Sequence, residues 1–267
     1  MKAKIRLYFK ALRLILLFLA GFVIAGGGFP VISWMQSPLK ARHTIDRIKI
    51  RWLRSFGRIL NLKIVQNGAV PVRSALIVSN HVSWLDIIVL GQFVPGCFAA
   101  KSEIAGWPVL GYLARQCGTL FIRRGDKKQI LHTTEMMTWQ LRRNGNMLVF
   151  PEGTTTDGRQ VLDFYPSLFQ PALLTQAAVQ PAVIRYLNVA RETAPFVDDD
   201  EFVPHLFKML AHEIIEVRLD FLPQIENEGI TRHALSNESR NRIAAVLVAE
   251  DSENAMPFLD RKVRAIP

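Results

Sequence analysis

A histidine and an aspartate stand five residues apart, directly after a short apolar run. They are His81 and Asp86 in Ser79-Asn80-His81-Val82-Ser83-Trp84-Leu85-Asp86. In one continuous helix, residues five apart lie roughly 140° apart around the axis, so the pair would not meet. They meet if His81 lies in a loop and Asp86 in the first turn of the following helix. The carboxylate can then accept the imidazole Nδ1–H and stabilise the imidazolium, leaving Nε2 as a general base. That is the His–Asp half of a triad, with the nucleophile supplied by a substrate hydroxyl. A plainer reading exists. Ser83-x-x-Asp86 matches a capping box, where Asp86 serves only the helix start and His81 is an ordinary loop residue.

Three further features carry possible chemistry. Phe150-Pro151-Glu152-Gly153-Thr154-Thr155-Thr156-Asp157-Gly158 ends an apolar run in a turn rich in glycine and hydroxyls. Such a turn offers backbone N–H groups to an oxyanion or phosphate, and Glu152 could orient a hydroxyl substrate. Pro and Gly also simply punctuate strand ends. Gly118-Thr119-Leu120-Phe121-Ile122-Arg123-Arg124 places an arginine pair where it could clamp a phosphate, or be plain surface. Lys101 has the same two readings. His81, Lys101, Arg124 and Glu152 all fall at expected strand ends, where open α/β sheets gather ligands.

The elements that must position these residues are legible as alternation. Short apolar runs at 75–78, 97–100, 119–122, 147–150, 181–187 and 214–222 read as strands, the last expected at an edge. Helices are expected at 84–92, 103–115, 127–143, 167–178 and 233–249. This is an α/β pattern: a mixed, mostly parallel sheet flanked by helices. The tract around Asp198-Asp199-Asp200-Glu201 reads as an exposed acidic loop. The two cysteines, Cys97 and Cys117, exclude a disulfide scaffold and a cysteine-rich zinc module. A 49% hydrophobic composition excludes a disordered chain.

Charge is divided unevenly. The first sixty residues hold twelve Lys/Arg against the single acid Asp46, a charge of +11. The remainder holds twenty-one basic against twenty-two acidic residues, a charge of −1. The basic segment also carries an uncharged apolar run, 14–33, which points to an anionic membrane surface and away from nucleic acid. No A-x-A-like cleavage site follows, which speaks against a signal peptide. Gly26-Gly27-Gly28 and Pro30 are expected to end a helix near Ala25. The apolar stretch 14–25 is then about 18 Å long, short of the roughly 30 Å hydrocarbon core. The reading is a helix that dips into the bilayer and returns, with a spanning helix as the alternative. Ile45, Ile48, Trp52, Phe56 and Ile59 recur at helical spacing among six basic residues, as in an interfacial amphipathic helix. The expected organisation is an N-terminal membrane-attachment segment, 1–65, and an α/β domain, 66–267.

Together the motifs resemble the lysophospholipid acyltransferase family, of 1-acylglycerol-3-phosphate acyltransferase type. Its N-H-x-S-x-x-D block is met by Asn80 to Asp86, G-x-x-F-I-x-R by Gly118 to Arg124, and F-P-E-G-T by Phe150 to Thr154. A V-x-P-[AV]-x block is met by Val179-Gln180-Pro181-Ala182-Val183. The blocks fall in order across roughly residues 70–190.

The resemblance implies transfer of an acyl group from acyl-CoA or acyl-acyl-carrier-protein to the hydroxyl of a lysolipid. His81 would be the base and Asp86 its orienter. Arg124, Glu152 and Gly153 would bind the acceptor with Thr154, and Lys101 is added less directly. No metal and no bound organic cofactor is implied. Expected partners are the lysolipid, the acyl thioester, the anionic membrane and, as donor, acyl carrier protein, at the inner membrane with the catalytic domain in the cytoplasm. Many phosphatidate-forming members carry arginine after F-P-E-G-T, where this chain has Thr155. The acceptor is therefore 1-acylglycerol-3-phosphate or, alternatively, lyso-ornithine lipid. A non-catalytic basic membrane-binding protein, and a thioesterase or lysolipase using water, are the competing classes.

Overall fold

The computed structural model describes residues 2–71, 74–122 and 127–255. Its strands are β1 (Leu62–Asn67), β2 (Ala75–Ser79), β3 (Gly96–Lys101), β4 (Leu120–Ile122), β5 (Asn146–Val149), β6 (Ala178–Tyr186) and β7 (Ile215–Phe221). They form one sheet in the order β1-β7-β6-β2-β5-β3-β4. Neighbours run parallel except β6 and β7, so the sheet is mixed and mostly parallel, as expected. β2 and β5 are buried along their whole length, which is why their sequences are unbroken apolar runs.

Alternate residues feed two cores. Ile77, Leu148 and Ile184 face one helical layer; Leu76, Met147 and Val183 face the other. The first layer includes α3 (Pro38–Leu60), α4 (Leu85–Gly91) and α9 (Phe202–Ala211). The second includes α6 (Lys127–Arg142), α7 (Gln170–Thr175) and α10 (Arg232–Ala255).

Several elements depart from the sequence expectation. β7 is not an edge strand, because β1 pairs along its outer side. β1 has the alternating exposure of an edge, and Lys63 on it blunts further pairing. It begins at Leu62, so the sheet crosses the boundary drawn between residues 65 and 66. The helix expected at 103–115 is interrupted around Trp107 and Pro108, with a 3-10 turn at Ser102–Gly106 before it and α5 (Leu110–Gln116) after it. α7 stops at Thr175 because Gln176 takes the left-handed conformation, φ 54°.

The largest difference lies at the N-terminus. α1 (Lys2–Val23) does not end at the glycines; it runs through a π turn, Ile24–Gly28, into α2 (Phe29–Met35). The glycines serve close packing. A Cβ on Gly26 would lie 2.7 Å from the Tyr112 hydroxyl, and one on Gly21 would lie 2.9 Å from Trp52 Nε1. Pro30 falls in the first turn of α2, where its missing N–H costs least. The resulting helix, Ala3–Met35, is long and apolar enough to cross a membrane.

α3 returns antiparallel along that helix. Thr44 bonds Gln36, the Trp52 indole donates to Leu17 O at 3.0 Å, and Lys10 donates to Leu60 O at 3.3 Å. Much of the basic charge in this hairpin is directed inward. Lys10 donates to His212 O, Lys49 to Cys117 O and Arg54 to Gln92 O. These are the carboxyl caps of α9, α5 and α4. Arg42 does the same for Arg143 and Asn144, just beyond α6. Each brings a cation to the negative end of a helix dipole, typically worth ~0.3–1 kcal/mol. The hairpin is thus strapped to the sheet domain by charges that composition alone assigns to a membrane. Arg47, Arg51 and Arg58 still form an exposed stripe.

Candidate active site

β2 lies between β5 and β6, so the segments leaving these three strands meet at one end of the sheet. His81 leaves β2 in a loop and Asp86 sits in the first turn of α4. His81 Nδ1 is 2.8 Å from Asp86 Oδ2. The histidine contact and the helix-start contact are present together. The same oxygen accepts the Val82 and Ser83 N–H groups at 2.7 and 2.9 Å, so the helix start and the His81 contact share one oxygen. The serine half of the capping box is not made: Ser83 Oγ is buried without a partner among the described residues. Asp86 is fully buried, whereas His81 borders a cavity.

The turn after β5 holds this loop in place. Glu152 Oε1 accepts the His81 N–H and Oε2 the Leu162 N–H, each at 2.8 Å. Thr156 donates its N–H to His81 O at 2.8 Å. The Phe150 ring stacks on the imidazole, 4.0 Å away and 9° from parallel.

Glu152 is 4% exposed and does not line the cavity, which corrects the expectation that it orients the acceptor. Both its oxygens are occupied by backbone, so it braces the His81 loop. Burial pushes its carboxyl up to about 7; the Leu162 and His81 N–H groups pull the other way, and nearby Asp86 adds to the rise. Gly153 borders the cavity at φ 71°, with its N–H turned back to Phe150 O. In this turn the N–H groups of Thr154 and Thr155 have no partner among the described residues. Of the two, Thr155 borders the cavity. Lys101, at the end of β3, is exposed and lines the cavity. Arg124 lies outside the described residues.

Two contributors have no signal in the motif spacing. Tyr186, the last residue of β6, donates its hydroxyl to Asp86 Oδ1 at 2.7 Å. Burial and then the charge of Asp86 hold its phenol well above the ordinary range, so it remains a donor. Asn80 fixes the register that brings it there, pairing both side-chain polar atoms with the Ile184 backbone at 2.9 and 3.0 Å. Trp84 Nε1 donates to His205 Nδ1 at 3.0 Å, and His205 Nε2 meets Pro195 O at 3.1 Å. Burial lowers the His205 pKa, so it stays neutral and holds the Trp84 ring as a wall beside His81.

The cavity has a volume of about 660 Å³ and is mainly apolar. It extends from His81 along Trp84, Phe56 and Trp52 to Lys49 and Asp46 on α3. Its walls come from the sheet domain and the hairpin together. An imidazole on the wall of an apolar slot can serve as base to an alcohol attacking an acyl group.

A family model described as Acyltransferase matches residues 61–185. A lyso-ornithine lipid O-acyltransferase from Pseudomonas aeruginosa is 34% identical over 250 residues, which are 92% of this chain and 95% of that protein. This chain belongs to the acyltransferase family. A 1-acyl-sn-glycerol-3-phosphate acyltransferase from Neisseria meningitidis is 34% identical over 184 residues, 68% of this acyltransferase and 72% of the relative. The crystal structure of the 1-acyl-sn-glycerophosphate (LPA) acyltransferase PlsC from Thermotoga maritima shares the fold, with TM-score 0.66 and 21% identity. It covers 93% of this chain and 99% of its own.

Proposed function

We propose that this acyltransferase is a membrane-associated lysolipid O-acyltransferase whose acceptor is lyso-ornithine lipid. His81 Nε2 takes the proton of the acceptor hydroxyl, and Asp86 stabilises the imidazolium that forms. The alkoxide adds to the thioester carbonyl carbon; the carbon–sulfur bond then breaks as the ester forms. The departing thiolate takes the proton back from His81. The thioester is itself the activated group, from acyl-CoA or acyl-acyl-carrier-protein, and its chain occupies the apolar cavity. The Thr155 N–H, which borders the cavity without a partner among the described residues, is the donor available to the developing oxyanion.

The turn after Gly153 carries the choice of headgroup. Where many phosphatidate-forming members have arginine, Thr155 bonds Phe196 O and Thr156 bonds His81 O. Both side chains brace the loop and neither adds a cation. A phosphate monoester needs strong cationic neutralisation, whereas the ornithine headgroup brings its own ammonium and leaves one carboxylate for Lys101. The near full-length relative from Pseudomonas supports the same acceptor. The Neisseria relative favours 1-acylglycerol-3-phosphate as the second reading.

The antiparallel hairpin supports insertion into one leaflet, with the chain returning along α3 and the sheet domain kept on the cytoplasmic side with the donors. Protease accessibility in sealed vesicles tests that orientation. For the acceptor, labelled acyl-CoA and acyl-acyl-carrier-protein are offered separately to protein in mixed micelles with either lysolipid. Transfer to lyso-ornithine lipid that vanishes in His81→Ala is the expected result. Transfer to lysophosphatidate alone would replace the acceptor and keep the mechanism; thiol release without acyl-lipid would reveal a hydrolase.

A further inference from the structure

Asp86 has two oxygens with unequal duties. Oδ2 accepts from His81 Nδ1, Val82 N and Ser83 N, and Oδ1 accepts from Tyr186 Oη. Among the described residues no other donor reaches Oδ1. The tyrosine ring packs in the core beside β2, a task phenylalanine would do as well. Its hydroxyl would be costly to bury there unless it had a partner, and the partner it has is the carboxylate behind the base. The placement follows from the sheet: Asn80 clamps Ile184, and Tyr186 is two residues on, facing the same side of β6.

We infer that Tyr186 is a positioning residue for acyl transfer, its hydroxyl fixing the Asp86 carboxylate edge that serves His81 and drawing charge away from it. The role rests on the proposed function of His81 as base. The hydroxyl acts in two ways. It prevents the carboxylate from rotating Oδ2 out of line with Nδ1. It also takes up part of the negative charge, so the imidazolium is held less tightly and gives its proton back to the leaving thiolate more readily.

Removing the hydroxyl concentrates charge on the remaining contacts of Asp86, and the His81 imidazolium then becomes harder to deprotonate. Among the described residues, the other ionisable groups close to the pair include Glu152 after β5 and His205 on α9 behind Trp84, and Lys101 at the end of β3 lines the same cavity. Tyr186→Phe alters none of these directly.

The test uses the full chain in micelles, with histidine side chains labelled with nitrogen-15 and His81 assigned by its loss in His81→Asn. In Tyr186→Phe the His81 titration midpoint is expected to rise by about half a unit to one unit, the scale of one lost hydrogen bond. The acid limb of kcat/KM should move the same way. kcat should fall roughly 3–10-fold at neutral pH, with KM for both substrates within about twofold, as expected when the contact acts on the chemical step.

Replacing Tyr186 by 3-fluorotyrosine keeps the ring and strengthens the donor, so His81 should shift in the opposite direction; this also serves if the phenylalanine variant does not fold. An unchanged midpoint in the folded variants would overturn the inference. So would a loss of rate with raised KM and no pH shift, the mark of disturbed packing. Opposite shifts in the two variants, with no acyl transfer by the wild type, would uphold the linkage and overturn the acyltransferase reading.

Discussion

Two charged networks meet one cavity, one running from buried Asp86 through His81 and the other centred on half-buried Lys49. Asp86 accepts four hydrogen bonds, one of them from His81, which borders the open space. Lys49 donates to Asp46 at 2.7 Å, Gly96 O at 3.0 Å and Cys117 O at 3.3 Å, filling all three of its donors. Both are satisfied, as charges withdrawn from water must be. The difference is where each network ends. The Asp86 network ends on an imidazole whose Nε2 has no partner among the described residues, so its charge can act on an incoming atom. The Lys49 network closes on the protein and fixes α3 to β3 and α5. A buried charge does chemistry only when its chain of bonds leaves one atom unspent.

The sharpest attack on this contrast is at the open end. His81→Ala should lower kcat/KM by roughly 10²–10⁴-fold, the usual share of a general base, while melting temperature and vesicle binding stay as they are. Asp86→Asn should lose nearly as much rate and also melt lower, because an amide N–H₂ would confront donors. The stability loss should be ~1–3 kcal/mol. At the closed end the pattern should invert. Lys49→Met strands Asp46 and two carbonyls, so it should destabilise by ~1–3 kcal/mol yet keep kcat within about threefold of wild type. A folded Lys49→Met protein with activity lost a hundredfold would erase the distinction.

Glu152 supplies a pH test. Its folded pKa of about 7 lies above the ordinary 4.5, so between these values the folded chain holds a proton that the unfolded chain releases. That contribution to stability is full below 4.5 and is lost as pH rises through about 7. The melting-temperature advantage of wild type over Glu152→Gln should therefore shrink from pH 5 to pH 8. A difference that stays flat, or grows, would contradict the raised pKa.

The smallest effects separate the cations of the hairpin. Arg47→Gln with Arg51→Gln should weaken binding to anionic vesicles by about 1 kcal/mol per residue and leave the melting temperature alone. Arg42→Gln should do the reverse, because its guanidinium serves the carbonyls beyond α6. Identical behaviour of the three would mean that the strap and the stripe are not distinct.

Much of the frame was open to reading. The runs that became β2 and β5 are short, apolar and bounded, and burial on both faces leaves that mark. The His81–Asp86 pair was legible because a loop followed by a helix start is encoded locally. β1 was missed because half its residues face solvent and it borrows its order from β7. The π turn was missed because Gly26 and Pro30 carry the letters of a helix end, and only contact with Tyr112 explains their place inside one. Glu152 was found but given the acceptor, since its letter says carboxylate and not which backbone groups occupy it.

The order of the motifs, the uneven charge, and the residue types of base and orienter belong to the chain as written, because each rests on neighbours a few positions away. Other features exist only after folding. The Tyr186 hydroxyl meets Asp86 across one hundred residues, Glu152 braces His81 across seventy-one, and α3 closes a cavity against strands that come later in the chain. The reason is geometric. Spacing along a chain fixes which side chains share a turn, but only the order of strands in the sheet decides which turns face one another.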